Sequence, residues 1–207
     1  MKKIILSAIA VCAFGFANAQ DKESYGFAKG DMYLGGTIHY HSEDNGGVKS
    51  TSNTIAPEFG YFLSDNLALT VGLELTANDL AAVPAVGTTP AVDADKSKQT
   101  NIKIGGRYYF LNVGERFKTY TNFGLVSGSN DNGGNGAEKT ATLGLGAGIG
   151  VNYWITSKWA VDFGLNDVFS YNSTKTGDVK TTSMTLDINK QYNNIFAAAK
   201  VGLIYKF

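Results

Sequence analysis

The sequence predicts an all-β protein, an eight-stranded antiparallel up-and-down transmembrane β-barrel. Segments in which apolar residues alternate with small or polar residues recur along the chain, which is the period of a strand with two unlike faces. Short turns alternate strictly with long polar loops between these segments, so that consecutive strands run up and down. No run of 18 uninterrupted apolar residues follows the first 20 residues, so we predict no transmembrane helix.

The amino-terminal residues 1–19 have the layout of a secretory signal peptide. Lys2 and Lys3 are followed by a short apolar stretch and by Ala17-Asn18-Ala19, a small-x-small cleavage site. The apolar stretch is shorter than the about 20 residues that a membrane-spanning helix needs. We therefore expect export, cleavage, and a single mature barrel domain over residues 20–207.

A lipoprotein leader is the alternative, because Cys12 lies inside the apolar stretch. The residue before it, Val11, is branched rather than small, so we set this alternative aside. Cys12 is the only cysteine, and cleavage would leave a mature chain without thiol or disulfide chemistry. Loss of two lysines from 18 basic residues, against 18 acidic ones, moves the formal charge from 0 to −2. We expect no nucleic-acid partner, no metal and no cofactor.

The hairpin around Ser64-Asp65-Asn66 has the clearest alternation in the chain. Leucine or valine occupies every second position from Leu67 to Leu75. Pro57 lacks an N–H group, so we expect a bulge in the strand before this turn. Similar alternation places the eight strands at about 31–41, 55–63, 67–75, 99–111, 117–127, 139–155, 159–171 and 195–207.

The connections between these strands fall into two classes. The short turns lie at 64–66, 112–116 and 156–158, and the long polar loops at 42–52, 77–98, 127–138 and 172–194. Apolar residues alternate again from Met184 to Ile188, so we expect strands to continue above the membrane there. Their phase differs by one residue from that of Val201 to Phe207, which predicts a bulge between the two stretches.

The charged residues of the strands lie on one face only. The apolar face has no charge at mid-strand, and a slip of one residue would place Arg107 and Lys200 in lipid. Each cation would then cost roughly 2–4 kcal/mol near the membrane midplane, so the register is well determined. The opposite face carries Glu58, Glu74, Lys103, Arg107, Asp162 and Lys200.

Aromatic residues collect near the short-turn ends of the strands, as expected for a girdle at the periplasmic membrane boundary. A soluble ligand-binding barrel, with its apolar face inside, is the alternative to this arrangement. Export, the aromatic ends and the mixed charges of the polar face favour the membrane. The predicted girdle consists of Tyr61, Tyr108, Phe110, Tyr153, Trp159, Tyr205 and Phe207.

The last strand resembles the carboxy-terminal signal of bacterial outer-membrane barrels through Lys200, Gly202, Tyr205 and Phe207. The stretch from Glu58 to Gly72 is similar to the repeating hairpin of the outer-membrane β-barrel domain family, which includes small OmpA-type and OmpX-type barrels and is often labelled porin family. The resemblance implies a bacterial outer-membrane location among its lipids, and recognition of the last strand by the barrel assembly machinery. We expect a monomer.

The interior charges are the first candidate for function. They could form an ionic gate or a narrow selectivity element. They could equally form a plug that stabilises the barrel, which we favour because an eight-stranded interior is only wide enough to be filled by side chains. The inward glycines of the sixth strand either make room for larger side chains opposite or leave a small water-filled space.

His39 and His41 share the inward face near Ser42. Some small outer-membrane barrels are enzymes that use a histidine together with a serine or an acidic residue. No nucleophile–base spacing and no third metal ligand is evident, so we predict no catalytic residue and no metal site. The segment from Asn130 to Glu138 lacks the spacing of a calcium loop.

We therefore expect an integral outer-membrane barrel with a structural or surface-interaction role and at most a narrow pore. A passive small-solute channel is the first alternative, and a barrel enzyme acting on envelope lipids is the second.

Overall fold

The structure is a computed structural model. The described residues are 24–45, 48–80, 82, 95–133, 138–186 and 200–207. The proposed signal peptide and its cleavage site lie outside them. None of the described residues belongs to a helix that is long and apolar enough to span a bilayer.

The described chain is built from antiparallel strands that are longer than a membrane crossing requires. Most have 14–19 residues, against about 9–11 needed to cross the hydrocarbon layer at a tilt. The strands are β1 Met32–Asn45, β2 Val48–Phe62, β3 Leu67–Leu80, β4 Asp95–Val113, β5 Phe117–Asp131, β6 Thr140–Trp154, β7 Trp159–Thr176, β8 Val179–Leu186 and β9 Lys200–Lys206.

Each strand from β1 to β7 pairs with its neighbour in sequence, and β9 closes the ring. It pairs with β1 on one side and with β7 on the other. The short strand β8 lies on the same edge of β7 as β9, farther from the short turns. The barrel is therefore closed around eight strand positions, with β8 and β9 sharing the eighth, and the predicted fold class is confirmed.

The strands extend farther toward the long-loop end than predicted. β1 and β2 continue to the pair Asn45 and Val48, through most of the expected loop 42–52. The other long loops are likewise shortened, because β3 and β4 continue to Leu80 and Asp95. Hydrophobic alternation stops where the lipid contact stops, whereas backbone pairing continues wherever a partner strand is present.

The expected loop 172–194 contains a hairpin. β7 continues to Thr176, and a turn at Gly177, whose φ of 56° suits glycine, leads into β8. Leu186 of β8 pairs with Phe169 of β7, and Lys200 of β9 pairs with Gly164, five residues earlier in β7. In the sequence, Leu186 and Lys200 are 14 residues apart. The predicted bulge between them lies outside the described residues.

The expected bulge at Pro57 is absent. The β2–β3 register is the same on both sides of it, since Ile55 pairs with Leu75 and Glu58 with Gly72. The ladder only lacks pairs at Ala56 and Pro57, where proline has no N–H to donate. The register shifts instead between Tyr109 and Leu111, and at two places in the β6–β7 pair.

The two faces of the barrel wall have the polarity that the alternation predicted. Arg107 is 5% exposed on the inner face, whereas Ile104 is 60% exposed on the outer face of the same strand. An exposed apolar surface that surrounds a whole barrel suits hydrocarbon and not water. The inverse arrangement of a soluble barrel is therefore not what the chain adopts.

Candidate functional site: the interior of the barrel

The middle of the lumen is crossed by a buried network of charges centred on Arg107. One guanidinium nitrogen, Nη2, donates to Glu58 Oε1 at 2.8 Å and to Asp162 Oδ2 at 3.3 Å. These residues come from β4, β2 and β7, so the ion pairs join strands that are not neighbours in the wall. Burial makes such pairs costly to break, because the remaining charge has no water around it.

Neutral side chains complete the network around the two carboxylates. The hydroxyl of Tyr33 donates to Glu58 at 2.6 Å, and that of Tyr120 donates to Asp162 at 2.7 Å. Asn152 donates to the same oxygen of Asp162 at 2.7 Å. The Arg107 guanidinium also lies 4.0 Å above the centre of the Tyr120 ring, a favourable cation–π distance.

A second ion pair lies on the inner wall toward the long-loop end. Lys103 Nζ is 2.7 Å from Glu74 Oε2, and Asn101 donates to the other oxygen of Glu74 at 2.8 Å. Lys200 faces the same space from β9 without an ion pair to any described residue. The six predicted charges are thus all inward, but they form two separate clusters and leave Lys200 apart.

The short-turn end of the lumen is closed by a segment that precedes β1. The ring of Phe27 stacks on Phe62 with 4.1 Å between centroids and meets the edge of Trp154 at 4.9 Å. Tyr33 and Tyr109 complete the surrounding aromatic layer, with their ring centroids 5.5 and 5.6 Å from that of Phe27. The polar composition of residues 20–29 predicts a loose lead-in to the first strand, and for the described residues from Tyr25 onward that prediction is wrong.

Polar contacts hold this segment at three different places on the rim. Lys206 Nζ donates to the carbonyl of Gly26 at 2.8 Å, and Arg116 donates to the hydroxyl of Tyr25 at 2.7 Å. The backbone N–H of Lys29 donates to Asp65 in the β2–β3 turn at 2.8 Å. We call the residues from Tyr25 to Gly30 the mouth segment, because they lie across the barrel opening.

The last strand joins the two edges of the sheet. Its backbone pairs Gly202 with Thr37 of β1 and with Asp162 of β7. The backbone N–H of Phe207 donates to the carbonyl of Met32 at 3.0 Å. Lys200 and Gly202 face inward, whereas Tyr205 and Phe207 face outward with their ring centroids 5.2 Å apart.

The predicted girdle residues lie on the outer surface at the short-turn end. Trp159 and Tyr205 pack with 4.8 Å between centroids, and so do Phe117 and Tyr153. Tyr61, at this end of β2, is 43% exposed. Such a ring of exposed aromatic residues suits the boundary between lipid and water.

The candidate histidines lie two residues apart on β1. His39 and His41 lie parallel at 6.4 Å, exposed near the long-loop end, and the contact of His41 is with Glu43 at 3.9 Å. Among the described residues no three His, Cys, Asp or Glu side chains are grouped so that they could hold a metal. In the segment expected to be a solvated loop, Asn132 donates to the carbonyl of Glu138 at 2.7 Å, and residues 134–137 lie outside the described residues.

The closed eight-stranded wall with a charged interior and an apolar exterior agrees with the comparison to known families. The sequence matches the family described as outer membrane protein beta-barrel domain over residues 6–207. The chain belongs to this family. It is therefore a protein of the outer membrane, where the short turns face the periplasm and the long loops face outward.

Several solved structures of outer-membrane proteins align with most of the chain at low sequence identity. OprG of Pseudomonas aeruginosa is 16% identical, with a TM-score of 0.52 over 88% of this chain and 98% of OprG. Outer Membrane Protein W of E. coli is 16% identical, with a TM-score of 0.47 over 87% and 99%. Neisserial surface protein A is 19% identical, with a TM-score of 0.46 over 86% and 98%. No curated protein matches the chain significantly.

Proposed function

We propose that this protein is a closed outer-membrane barrel with a structural and surface-interaction role, and that it does not act as an open pore. The observation that carries this proposal is the mouth segment, whose Phe27 fills the periplasmic opening. Residues outside the barrel wall thus complete the seal, and the same residues are anchored to the rim by hydrogen bonds.

Two layers of side chains stand in series along the lumen. The first is the aromatic layer around Phe27, and the second is the network of Arg107, Glu58 and Asp162. A hydrated ion would have to displace both layers, and the second would lose buried ion pairs in doing so. This arrangement supports the interpretation of the interior charges as a stabilising plug.

The ends of the strands on the extracellular side support a role in interactions at the cell surface. With 14 residues in β1 and 19 in β4, several residues of each strand extend beyond the hydrocarbon layer. Every residue of β8, from Val179 to Leu186, is exposed, and most of them are polar. A rigid, water-facing sheet of this kind presents a stable surface for contact with other molecules.

The route to the membrane is part of the same proposal. Residues 1–19 act as a cleaved signal peptide, and the barrel assembly machinery recognises Lys200, Gly202, Tyr205 and Phe207. The finished barrel is a monomer whose outer partners are membrane lipids. Mass spectrometry of the membrane-extracted protein should find an amino terminus at Gln20, and deletion of Phe207 should lower the amount of heat-modifiable barrel.

Conductance in planar lipid bilayers tests the closed state. We expect no steady openings for the wild-type protein, and openings for the double variant Phe27→Ala/Arg107→Ala, which removes one residue from each layer. The control is Phe59→Ala, which changes an aromatic residue on the lipid-facing surface. Steady wild-type openings that vanish on Arg107→Ala or respond to Glu74→Ala would establish the passive channel instead.

The enzyme alternative has a separate test. If the barrel acts on envelope lipids, His39→Ala should change the lipid profile of cells that express it. We expect an unchanged profile, because the only ring partner of His39 among the described residues is His41 and neither makes a hydrogen bond to a hydroxyl there.

A further inference from the structure

A hollow chamber lies in the lumen on the extracellular side of Arg107. It consists of two adjoining cavities of about 330 and 140 Å³. Both are lined by Glu58, Lys103, Asn122 and Lys200, and the smaller one is also bordered by Arg107. An eight-stranded barrel normally fills its interior with side chains, so an unfilled space of this size needs an explanation.

Inward glycines leave this space open at positions where a side chain would fit. A Cβ atom at Gly72 would lie 3.5 Å from the carbonyl oxygen of Pro57, and one at Gly164 would lie 3.6 Å from Cβ of Lys200. Both are ordinary van der Waals distances, so the backbone does not require glycine there. The sequence therefore leaves out side chains that could fill the chamber.

Each carboxylate that borders the chamber already accepts hydrogen bonds. Glu74 accepts hydrogen bonds from Lys103 and Asn101, and Glu58 accepts them from Arg107 and Tyr33. Asp162, at the edge of the smaller cavity, accepts them from Arg107, Tyr120 and Asn152.

The donors, in contrast, are not all engaged. The side-chain ammonium of Lys200 has no hydrogen bond or ion pair with any part of the chain that the structure describes, and this side chain lines both cavities. A cation that is exposed to the chamber, beside carboxylates that each already accept hydrogen bonds, favours a ligand that brings acceptor oxygens and negative charge.

We propose that this chamber binds a small oxyanion, a carboxylate or a phosphate group, with Lys200 as its main counter-charge. The amide of Asn122, which lines both cavities, supplies a further donor. The anion enters from the extracellular side, since the mouth segment covers the periplasmic side. This inference does not depend on the closed state, because a conducting barrel could hold the same site.

Calorimetric titration of the refolded barrel in detergent tests the proposal. Inorganic phosphate and acetate are titrated separately at constant ionic strength, so that saturable binding is distinguished from screening. We expect saturation by at least one of them, and the anion that binds identifies phosphate or carboxylate as the preferred group. Lys200→Met should weaken binding about ten-fold or more, because a hydrogen bond to a charged group is lost.

A matched control and a filling variant complete the experiment. Lys180→Met removes an exposed lysine from β8 and should bind as the wild type does. Gly164→Val keeps every charge but fills the space beside Lys200, and should also weaken binding, with folding verified by the heat-dependent gel shift. The proposal is wrong if the wild type saturates with neither anion, or if Lys200→Met or folded Gly164→Val binds as tightly as the wild type.

Discussion

The ring of Phe27 lies stacked on the ring of Phe62, with an angle of 18° between their planes. Phe62 is the last residue of β2, and Phe27 belongs to the mouth segment that precedes β1. A residue outside the barrel wall is thus a member of the aromatic layer that closes the lumen. This contact gives the mouth segment a stability that can be measured.

Phe27→Ala should release the mouth segment. The loss of a half-buried phenylalanine should cost roughly 2 kcal/mol, below the 3–5 kcal/mol of a fully buried one. Trypsin cleavage after Lys29 should then be about thirty-fold faster, since slow proteolysis follows the population of the open form. Digestion of folded protein in vesicles measures this rate. Phe59→Ala on the lipid face is the control, and equal rates for both variants would contradict the docking of Phe27.

Arg107→Met should destabilise the barrel, because it leaves the partly buried carboxylates of Glu58 and Asp162 without their cation. Breaking a buried ion pair in this way costs about 3–5 kcal/mol. The triple variant that adds Glu58→Gln and Asp162→Asn should regain most of that stability. Urea unfolding in lipid vesicles measures both effects. If Arg107→Met unfolds at the wild-type urea concentration, the network does not stabilise the barrel.

Gly60→Ala and Gly72→Ala should differ in effect, although both glycines face inward. A Cβ at Gly60 would overlap the ring of Tyr33, which donates to Glu58 in the charge network. Overpacking of this kind costs about 1–3 kcal/mol, whereas the Cβ at Gly72 finds ordinary contacts. The urea midpoint should fall for Gly60→Ala only. Equal urea midpoints for the two variants would show that the ring of Tyr33 does not pack against Gly60.

Val71→Arg should destabilise the barrel because Val71 faces outward at mid-strand and is 51% exposed in the isolated chain. A cation at the membrane midplane costs about 2–4 kcal/mol, and one near the boundary costs little. Val179→Arg, beside the turn of the β7–β8 hairpin, should therefore be close to neutral. Both are measured by urea unfolding in lipid. If Val71→Arg leaves the stability unchanged, this surface does not face lipid.

The membrane-crossing part of each strand could be predicted because contact with lipid requires a regular pattern of apolar residues. The outward positions must be apolar at every second residue, as from Leu67 to Leu75, and the inward charges then follow by parity. Beyond the hydrocarbon layer both faces of the strand meet water, so the alternation of apolar and polar residues ends there. The pairs Glu43–Ser50 and Asp44–Lys49 continue the β1–β2 ladder there without any periodic signal.

The partners of the interior charges could not be predicted in the same way. Alternation placed Arg107 inside, but its pairing with Asp162 depends on how β4 and β7 face each other across the closed barrel. That relation is set by strand tilt and register around the whole ring. Parity alone places Lys200 on the same face as Glu58, Glu74 and Asp162, and the structure shows it beside them without an ion pair to a described residue.

The mouth segment was missed for a different reason. Tyr25 and Phe27 are two aromatic residues in a polar stretch, too few for any period to appear. Their contacts are made with Arg116, Trp154 and Phe62, which are distant in the sequence. Two aromatic residues spaced like neighbours on one face of a strand were the available signal.

The ion pairs of Arg107 also have a mechanical consequence. They connect β4 with β2 and with β7 through the centre of the barrel, as spokes connect points on a rim. A hollow cylinder of eight strands could be flattened into an ellipse by lateral pressure from the surrounding lipid. Here, flattening would stretch at least one buried ion pair, at a cost that hydration cannot relieve. The ion pairs therefore oppose flattening from within, in addition to the hydrogen-bonded wall.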